Sequence, residues 1–269
     1  GWHIECSVMS TNILGDQFDI HGGGLDLIFP HHENEIAQAE AATGGTFANY
    51  WIHNGLLTVN GEKMAKSLEN YITVSSFLDK YKDPDILKLA FLNSHYRSPM
   101  DYTEDKMKSN VEAKDRIIGF VTRAEKFIGE KREHLLSKQA LALRTDLDTR
   151  FKAAMDDDIN TPLALAVIFD AVKMGNDIIS DSKSPEEEKR NCLYVLMNFI
   201  WKCGEIFKLS LKVKKTNKED EDKICILVKE REQARNDKDF KKADEIREKL
   251  LSGGVEILDT QEGTVWRKK

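Results

Sequence analysis

The sequence predicts an α/β half-domain followed by an α-helical bundle and a small α+β C-terminal domain. Three observations carry this reading. Over residues 1–97, apolar runs of strand length alternate with loops and helical stretches, the pattern of an open α/β sheet. Over residues 98–213, four amphipathic stretches follow one another with short joints, as in a bundle. Over residues 214–269, a charged stretch from Lys214 to Asp222 leads into two short helices and a hairpin-like end.

Taken in order, Trp2 to Met9 alternates β-type residues and reads as a strand, and Phe18 to Ile20 reads as a second strand ending at Gly22-Gly23-Gly24. Pro30 suits a first helical position, because its missing N–H would have no partner there. A helix is expected from it to about Ala42, with Gly44-Gly45 as the stop. Tyr50 to Val59 is a further extended run, and Asn60-Gly61 after it is a strong hairpin signal. Asp83-Pro84-Asp85 opens a helix whose core face is Ile86, Leu87, Leu89, Ala90 and Phe91.

Thr103 caps the first bundle helix, which is expected to run to about Phe127 with Ile117, Val121, Ala124 and Ile128 facing inward. The second covers about Leu141 to Met155. Thr161-Pro162 is expected to cap the third and Ser184-Pro185-Glu186-Glu187 the fourth, where Cys192 and Cys203 read as packing residues. The tail helices are expected at about Lys223 to Asn236 and Asp239 to Leu251. Val255–Asp259 and Thr264–Arg267 then pair around Gln261-Glu262-Gly263.

Composition narrows the function classes. The 269 residues are 32% charged and 41% hydrophobic, with no apolar run of membrane-spanning length and no signal peptide. The four cysteines form no framework, which points to a reducing cytoplasm. A net charge of -6 argues against a generally adhesive nucleic-acid binder and leaves room for a local basic face. The chain opens on Gly1, without an initiator Met or a cap ahead of the first expected strand. It is read as a piece of a longer protein whose upstream part supplies some of the site.

Chemistry concentrates near the start. If a helix begins at Pro30, His31 and Glu35 sit at i and i+4 on one face, and Cys6 is the only thiol near them. Thiolate, imidazole and carboxylate suit a tetrahedral zinc with one position open, although His32 or Glu33 could take the place of either helix residue. The triple glycine marks a place where a phosphate or a backbone can come close. Lys63 and Lys66, on the segment Lys63-Met64-Ala65-Lys66-Ser67 leaving the hairpin, can reach a polyphosphate together. In the tail, Arg235, Lys238, Phe240, Arg247, Trp266 and Arg267 interleave bases with aromatics, which suits unpaired nucleobases or simply a small core.

In combination these motifs are more specific. Trp2-His3-Ile4-Glu5-Cys6-Ser7, His21-Gly22-Gly23-Gly24-Leu25-Asp26, His31-His32-Glu33-Asn34-Glu35 and Lys63-Met64-Ala65-Lys66-Ser67 resemble cysteinyl-tRNA synthetase, a class I aminoacyl-tRNA synthetase. Lys238-Asp239-Phe240, Ala243-Asp244, Ile246-Arg247, Asp259-Thr260, Gly263-Thr264 and Trp266-Arg267 are similar to that family's anticodon-binding end. The resemblance covers essentially the whole chain.

The resemblance implies that residues 1–97 are the second half of a Rossmann-like catalytic domain with a KMSKS-type lysine loop. It implies a tRNA-binding bundle and an anticodon-binding end after it. Cys6, His31 and Glu35 match three zinc ligands. The family's fourth, a cysteine far upstream, and its His-Ile-Gly-His-type motif are not in this sequence, so the chain alone is expected to be an incomplete catalytic unit. Trp2 would line the amino-acid pocket, and His21, Gly23 and Asp26 would hold the adenylate. Lys66, with Lys63, would steady the phosphates of ATP and its Mg2+, although Ala65 stands where serine is commonest. Arg235, Asp244, Arg247 and Asp259 match anticodon-reading positions, with Phe240 as a stacking surface. The implied protein is a cytoplasmic, monomeric cysteine–tRNA ligase binding one zinc, cysteine, ATP and tRNA(Cys), and no membrane. Alternatives are a sister ligase that acylates a small amine, and a non-catalytic fragment that binds zinc or RNA.

Overall fold

The structure, a computed structural model, describes residues 1–129, 136–212, 218–237, 239–260 and 263–268. These fall into two units, Gly1–Lys212 and Val213–Lys269.

The first unit opens with a helix, α1 (Trp2–Leu14), where alternation predicted a strand. Its polar positions explain the outcome. His3, Ser7 and Thr11 recur every four residues, and the Ser7 and Thr11 hydroxyls each donate to the carbonyl one turn back, at 3.0 Å. Ser7 is the buried residue of this helix, and its hydroxyl also reaches the Glu35 carbonyl at 3.4 Å. The alternating apolar residues Trp2, Ile4 and Val8 remain exposed.

Strand β1 (Phe18–Gly24) runs through the glycines, and β2 (Ala48–Asn54) pairs with it in parallel, with His21 opposite Trp51 and Gly23 opposite His53. Helix α2 (Glu33–Thr43) makes the crossover and ends at the left-handed Gly44. The expected helix start at Pro30 is approximate. Phe29 is extended, as a residue before proline prefers, and one irregular turn over Pro30–His32 precedes α2. A second small sheet holds β3 (Leu57–Val59) between antiparallel β4 (Glu62–Lys63) and parallel β5 (Met100–Tyr102). The predicted Asn60-Gly61 turn joins β3 to β4, with both residues at positive φ. Helix α3 (Val74–Tyr81), which sequence reading passed over, starts with a reciprocal Thr73–Ser76 capping box. Helix α4 (Pro84–Leu92) starts as expected, with the Asp83 carboxylate accepting from the Asp85 N–H.

The four bundle helices are α5 (Glu104–Ile128), α6 (Lys138–Asp156), α7 (Thr161–Ser180) and α8 (Glu186–Phe207). Their buried faces include Ile117, Phe120, Leu147, Leu165, Ile168, Leu193, Leu196 and Ile200. Two caps differ from expectation. Asn160, not Thr161, accepts from the Leu163 N–H to open α7. Helix α8 has no side-chain cap, because its N-cap residue is Pro185, whose side chain carries no acceptor; three glutamates in its first turn offset the exposed N–H groups instead. Cys192 and Cys203 are buried, and burial pushes their thiols up to about 11 and about 12, as inert packing residues require.

The second unit consists of α9 (Lys218–Asn236), α10 (Phe240–Ser252) and the antiparallel pair β6 (Val255–Thr260) and β7 (Gly263–Lys268). Its core is Ile224, Val228, Ile246, Leu250, Val255 and Ile257. Helix α9 starts inside the expected linker, where residues 219–222 place four acids at its N-terminus. Linker residues 214–217, Lys238 and the expected hairpin residues Gln261 and Glu262 lie outside the described residues.

One buried charge joins α4 to the bundle. Asp85 accepts from Lys114 of α5 at 2.8 Å, from Lys88 at 2.9 Å and from the Ser210 N–H at 2.8 Å. Burial alone would raise its pKa, but these three donors outweigh burial and hold it below the ordinary range. A carboxyl depressed in the folded state contributes its full stability above the unfolded value, about pH 4, and loses it as pH falls through the folded value. Asp85→Asn is therefore expected to cost about 1–3 kcal/mol at pH 7, because Lys114 and Lys88 lose a buried charge partner while Asp83 still meets Lys114 at 2.7 Å. It is also expected to flatten the loss of stability as pH falls below about 4. Urea unfolding from neutral pH down into that range measures both.

Candidate functional site

Five segments of the first unit converge on one carboxylate. Helix α1 brings His3 and Cys6, β1 brings His21, the turn before α2 brings His31 and His32, and β2 brings Trp51 and His53. Helix α2 delivers Glu35, one turn after His31 on the same face.

Glu35 is fully buried. Its Oε1 lies 3.1 Å from His31 Nε2 and its Oε2 lies 3.0 Å from His21 Nε2. Neither approach has the alignment of a hydrogen bond, so both oxygens are buried without a hydrogen-bond donor. A carboxylate desolvated in this way calls for a cation.

Two donor sets share Glu35. The ligand atoms of Cys6, His31 and Glu35 lie within 4.8 Å of one another, and so do those of His21, His32 and Glu35. His32 thus belongs to the second set, while Glu33, the other alternative ligand, is exposed. Tetrahedral zinc with donors at about 2.0–2.2 Å places neighbouring donors about 3.4 Å apart, close to the His31–Glu35 spacing. Burial, and then the Glu35 charge, raise the Cys6 thiol above its ordinary pKa. A cation there would counter the carboxylate and favour the thiolate. The donor set therefore fits zinc.

The surrounding rings orient the ligands. His3 Nδ1 lies 2.7 Å from His31 Nδ1; when His31 donates in this bond, its Nε2 keeps a lone pair toward Glu35. The exposed Trp2 indole lies against His31, tilted by 33° with ring centres 4.3 Å apart. His32 Nδ1 pairs with His53 Nε2 at 2.7 Å. Burial, and then the neighbouring His21, His53 and His31, lower His32 to about 4, so it is neutral at pH 7. Sequence reading missed His3, Trp51 and His53, because only the α1 packing and the β1–β2 register bring them here.

Of the expected nucleotide residues, His21 and Gly23 belong to this cluster. His21 faces Glu35 from β1. A Cβ on Gly23 would come within 2.8 Å of the His32 ring, so glycine makes room for that imidazole. Asp26 is exposed in a single turn, Leu25–Leu27. Lys63 is exposed on β4, and the backbone of Lys66 opens another single turn, Lys66–Leu68. Between them Met64 packs on the apolar cluster of Val59, Phe77 and Ile86. The Asn70 side chain, unremarked in the sequence, bonds to the backbone of this loop.

In the second unit, Phe240, Asp244 and Arg247 share an exposed face of α10, beside the buried stripe of Ala243, Ile246 and Leu250. Phe240 is 63% exposed at the helix start. Arg235 is near the end of α9, and Asp259 lies on β6, where its side chain is outside what the structure describes.

Residues 1–112 match the family described as tRNA synthetases class I (C) catalytic domain, 150–212 the DALR domain, and 225–267 the cysteinyl-tRNA ligase anticodon binding domain. The chain is 44% identical over its whole length to a cysteine–tRNA ligase of Thermodesulfovibrio yellowstonii, of which it covers 58%. It is 42% identical to one from Thermococcus gammatolerans, of which it covers 57%. The chain therefore spans somewhat over half the length of these curated relatives. Among solved structures, Mycobacterium tuberculosis methionyl-tRNA synthetase with methionyl-adenylate aligns over 68% of this chain and 40% of its own, with a TM-score of 0.54 at 18% identity. An Agrobacterium radiobacter leucyl-tRNA synthetase aligns over 72% of this chain and 27% of its own, with a TM-score of 0.56 at 13% identity. These two likenesses concern the fold.

The tight seat of His32 predicts the effect of filling it. Gly23→Ala is expected to displace the His32 ring from His53 and to destabilise the first unit by about 1–3 kcal/mol. Imidazole NMR shifts of His32 and His53 measure the displacement, and unchanged shifts would show that the ring does not need the space.

Proposed function

Because the chain belongs to the cysteine–tRNA ligase family, we propose that it serves the ATP-dependent charging of tRNA(Cys) with cysteine. The convergence of Cys6, His31 and Glu35 on one buried spot is the observation that carries this reading. In the first step the cysteine carboxylate attacks the α-phosphorus of ATP, forming cysteinyl-adenylate and releasing pyrophosphate. In the second, a hydroxyl of the terminal adenosine of the tRNA attacks the acyl carbon, and AMP leaves.

Selection of the amino acid is the harder task. Serine and alanine are close to cysteine in size, and a difference of about one methylene gives only roughly 10–200-fold discrimination. Cys6, His31 and Glu35 would hold a zinc ion, which when bound supplies a thiolate-preferring position that a hydroxyl cannot match. Sites that require one polar partner reject analogues by roughly 10⁴–10⁵ without editing. His3 orients His31, and the Trp2 ring walls the amino-acid side. His21, Gly23 and Asp26, at the carboxyl end of β1, would receive the adenylate, as ligands do in open α/β sheets.

Lys63 and Lys66 would stabilise charge building on the phosphates of magnesium-bound ATP during activation. The face of Phe240, Asp244 and Arg247, with Arg235 and Asp259, would meet the anticodon, where Phe240 offers a stacking surface. Among the described residues no helix is long and apolar enough to cross a membrane, and we place the protein in the cytoplasm as a monomer.

Two measurements on the family-length ligase carrying this chain test the proposal. Cys6→Ala is expected to hold much less zinc than the parent by metal analysis, and full retention would end the metal assignment. Lys66→Ala is expected to slow cysteine-dependent pyrophosphate exchange by about 10²–10³-fold while zinc content stays constant.

A further inference from the structure

We propose that Asn70 is a positioning residue for the lysine loop, fixing where Lys63 and Lys66 stand without itself touching ATP. This assignment rests on the role given above to those lysines. The Asn70 carboxamide uses both ends on the loop backbone. Its Oδ1 accepts from the Ala65 N–H at 2.9 Å, and its Nδ2 donates to the Lys63 carbonyl at 3.1 Å. The two bonds straddle Met64, so the side chain clamps the peptide of one lysine and the residue just before the other. Asparagine suits this task because it carries a donor and an acceptor on a short stem; aspartate lacks the donor and glutamine is a methylene longer.

The surrounding backbone shows what the clamp holds in place. Glu69, immediately before Asn70, sits at φ 52, in the left-handed region that side chains other than glycine disfavour. That turn points the chain back toward the loop it has just left. Inside the loop the Leu68 N–H reaches the Ala65 carbonyl at 3.1 Å, and Met64 is packed against the Val59–Phe77–Ile86 cluster. The loop is thus pinned by an apolar anchor at Met64 and a polar one at Asn70. With the Asn70 anchor gone, the Ala65 N–H and the Lys63 carbonyl lose the side chain that ties them together, leaving the Leu68–Ala65 bond and the packing of Met64 to hold the loop. Two ammonium groups can share one polyphosphate only if their backbones are held in register, and a displacement of about 1 Å can cost roughly 10²-fold in rate.

The test is a set of variants in the family-length ligase, assayed by cysteine-dependent pyrophosphate exchange. Asn70→Ala is expected to lower kcat about 10- to 100-fold. The KM for cysteine, the zinc content and the unfolding midpoint should stay near the parent values. Asn70→Asp, which keeps the acceptor for Ala65 but loses the donor to Lys63, should fall between parent and Asn70→Ala. In a Lys66→Ala background, Asn70→Ala should add less than about a further twofold, as for two groups acting as one unit. Amide hydrogen exchange at Ala65 should lose its protection in Asn70→Ala. A normal kcat in Asn70→Ala beside a slowed Lys66→Ala refutes the Asn70 assignment alone. A full multiplicative loss in the double variant also refutes it, assigning Asn70 to general folding. An unchanged rate in Lys66→Ala by itself refutes the lysine reading, and Asn70 with it.

Discussion

Everything near the proposed reaction is arranged around a carboxylate that the protein buries without hydrogen-bonding it. Glu35 is fully enclosed, and neither of its oxygens receives a hydrogen bond from the protein. Such a group is unfavourable in an apolar interior unless positive charge meets it. The chain surrounds it with His21, His31, His32 and the Cys6 thiol, side chains of the types that ligate metals. A ring of basic side chains such as lysine would have satisfied the charge outright and left nothing for a cation to do. The fold keeps an electrostatic demand in place and lets the metal answer it.

The secondary structure serves that demand. The β1–α2–β2 crossover sets His21 and His53 on parallel strands and brings His31 and Glu35 across them from the start of α2. The polar stripe of α1 then lays Cys6 and His3 against the same spot, with Ser7 reaching the Glu35 carbonyl. The lysine loop is built separately, on the β3–β4 hairpin and the cluster beneath it, so the parts proposed to read the amino acid and to handle phosphate rest on different supports. Farther away, Asp85 clamps α4 to α5, and Asp158 in the α6–α7 joint accepts from the Tyr96 hydroxyl at 2.7 Å and forms an ion pair with Arg97 at 2.6 Å. The Tyr96 carbonyl accepts from the Gly55 N–H at 2.7 Å, so this joint reaches the residue just after β2.

Much of this was legible in the sequence, and what was not shares one physical cause. Thr103, Asp83 and the Asn60-Gly61 turn act through contacts within four residues, so their effects can be read locally. The i, i+4 relation of His31 and Glu35 is of the same kind. The order of motifs along the chain pointed to the family, and the matched domains and relatives bear it out. The first helix was misread because apolar residues at every second position imitate a strand, while the stripe that decides the matter, His3-Ser7-Thr11, is polar. His53 opposite Gly23 depends on strand register, His3 beside His31 on helix packing, and Asn70 on a left-handed turn at Glu69. None of these leaves a mark in the spacing of residues.

The unequal burial of the four cysteines gives the molecule a chemical contrast. Cys192 and Cys203 are enclosed in α8 with thiols pushed far above neutral, so they withhold the thiolate that alkylating reagents attack. Cys225 lies exposed on α9, and Cys6 is partly open beside Glu35. A maleimide dye at neutral pH therefore marks the second unit at Cys225, and its only competitor is the thiol that zinc would shield. Cys6 is itself slowed by burial and by the Glu35 charge, which raise its thiol, so the label falls mainly on Cys225.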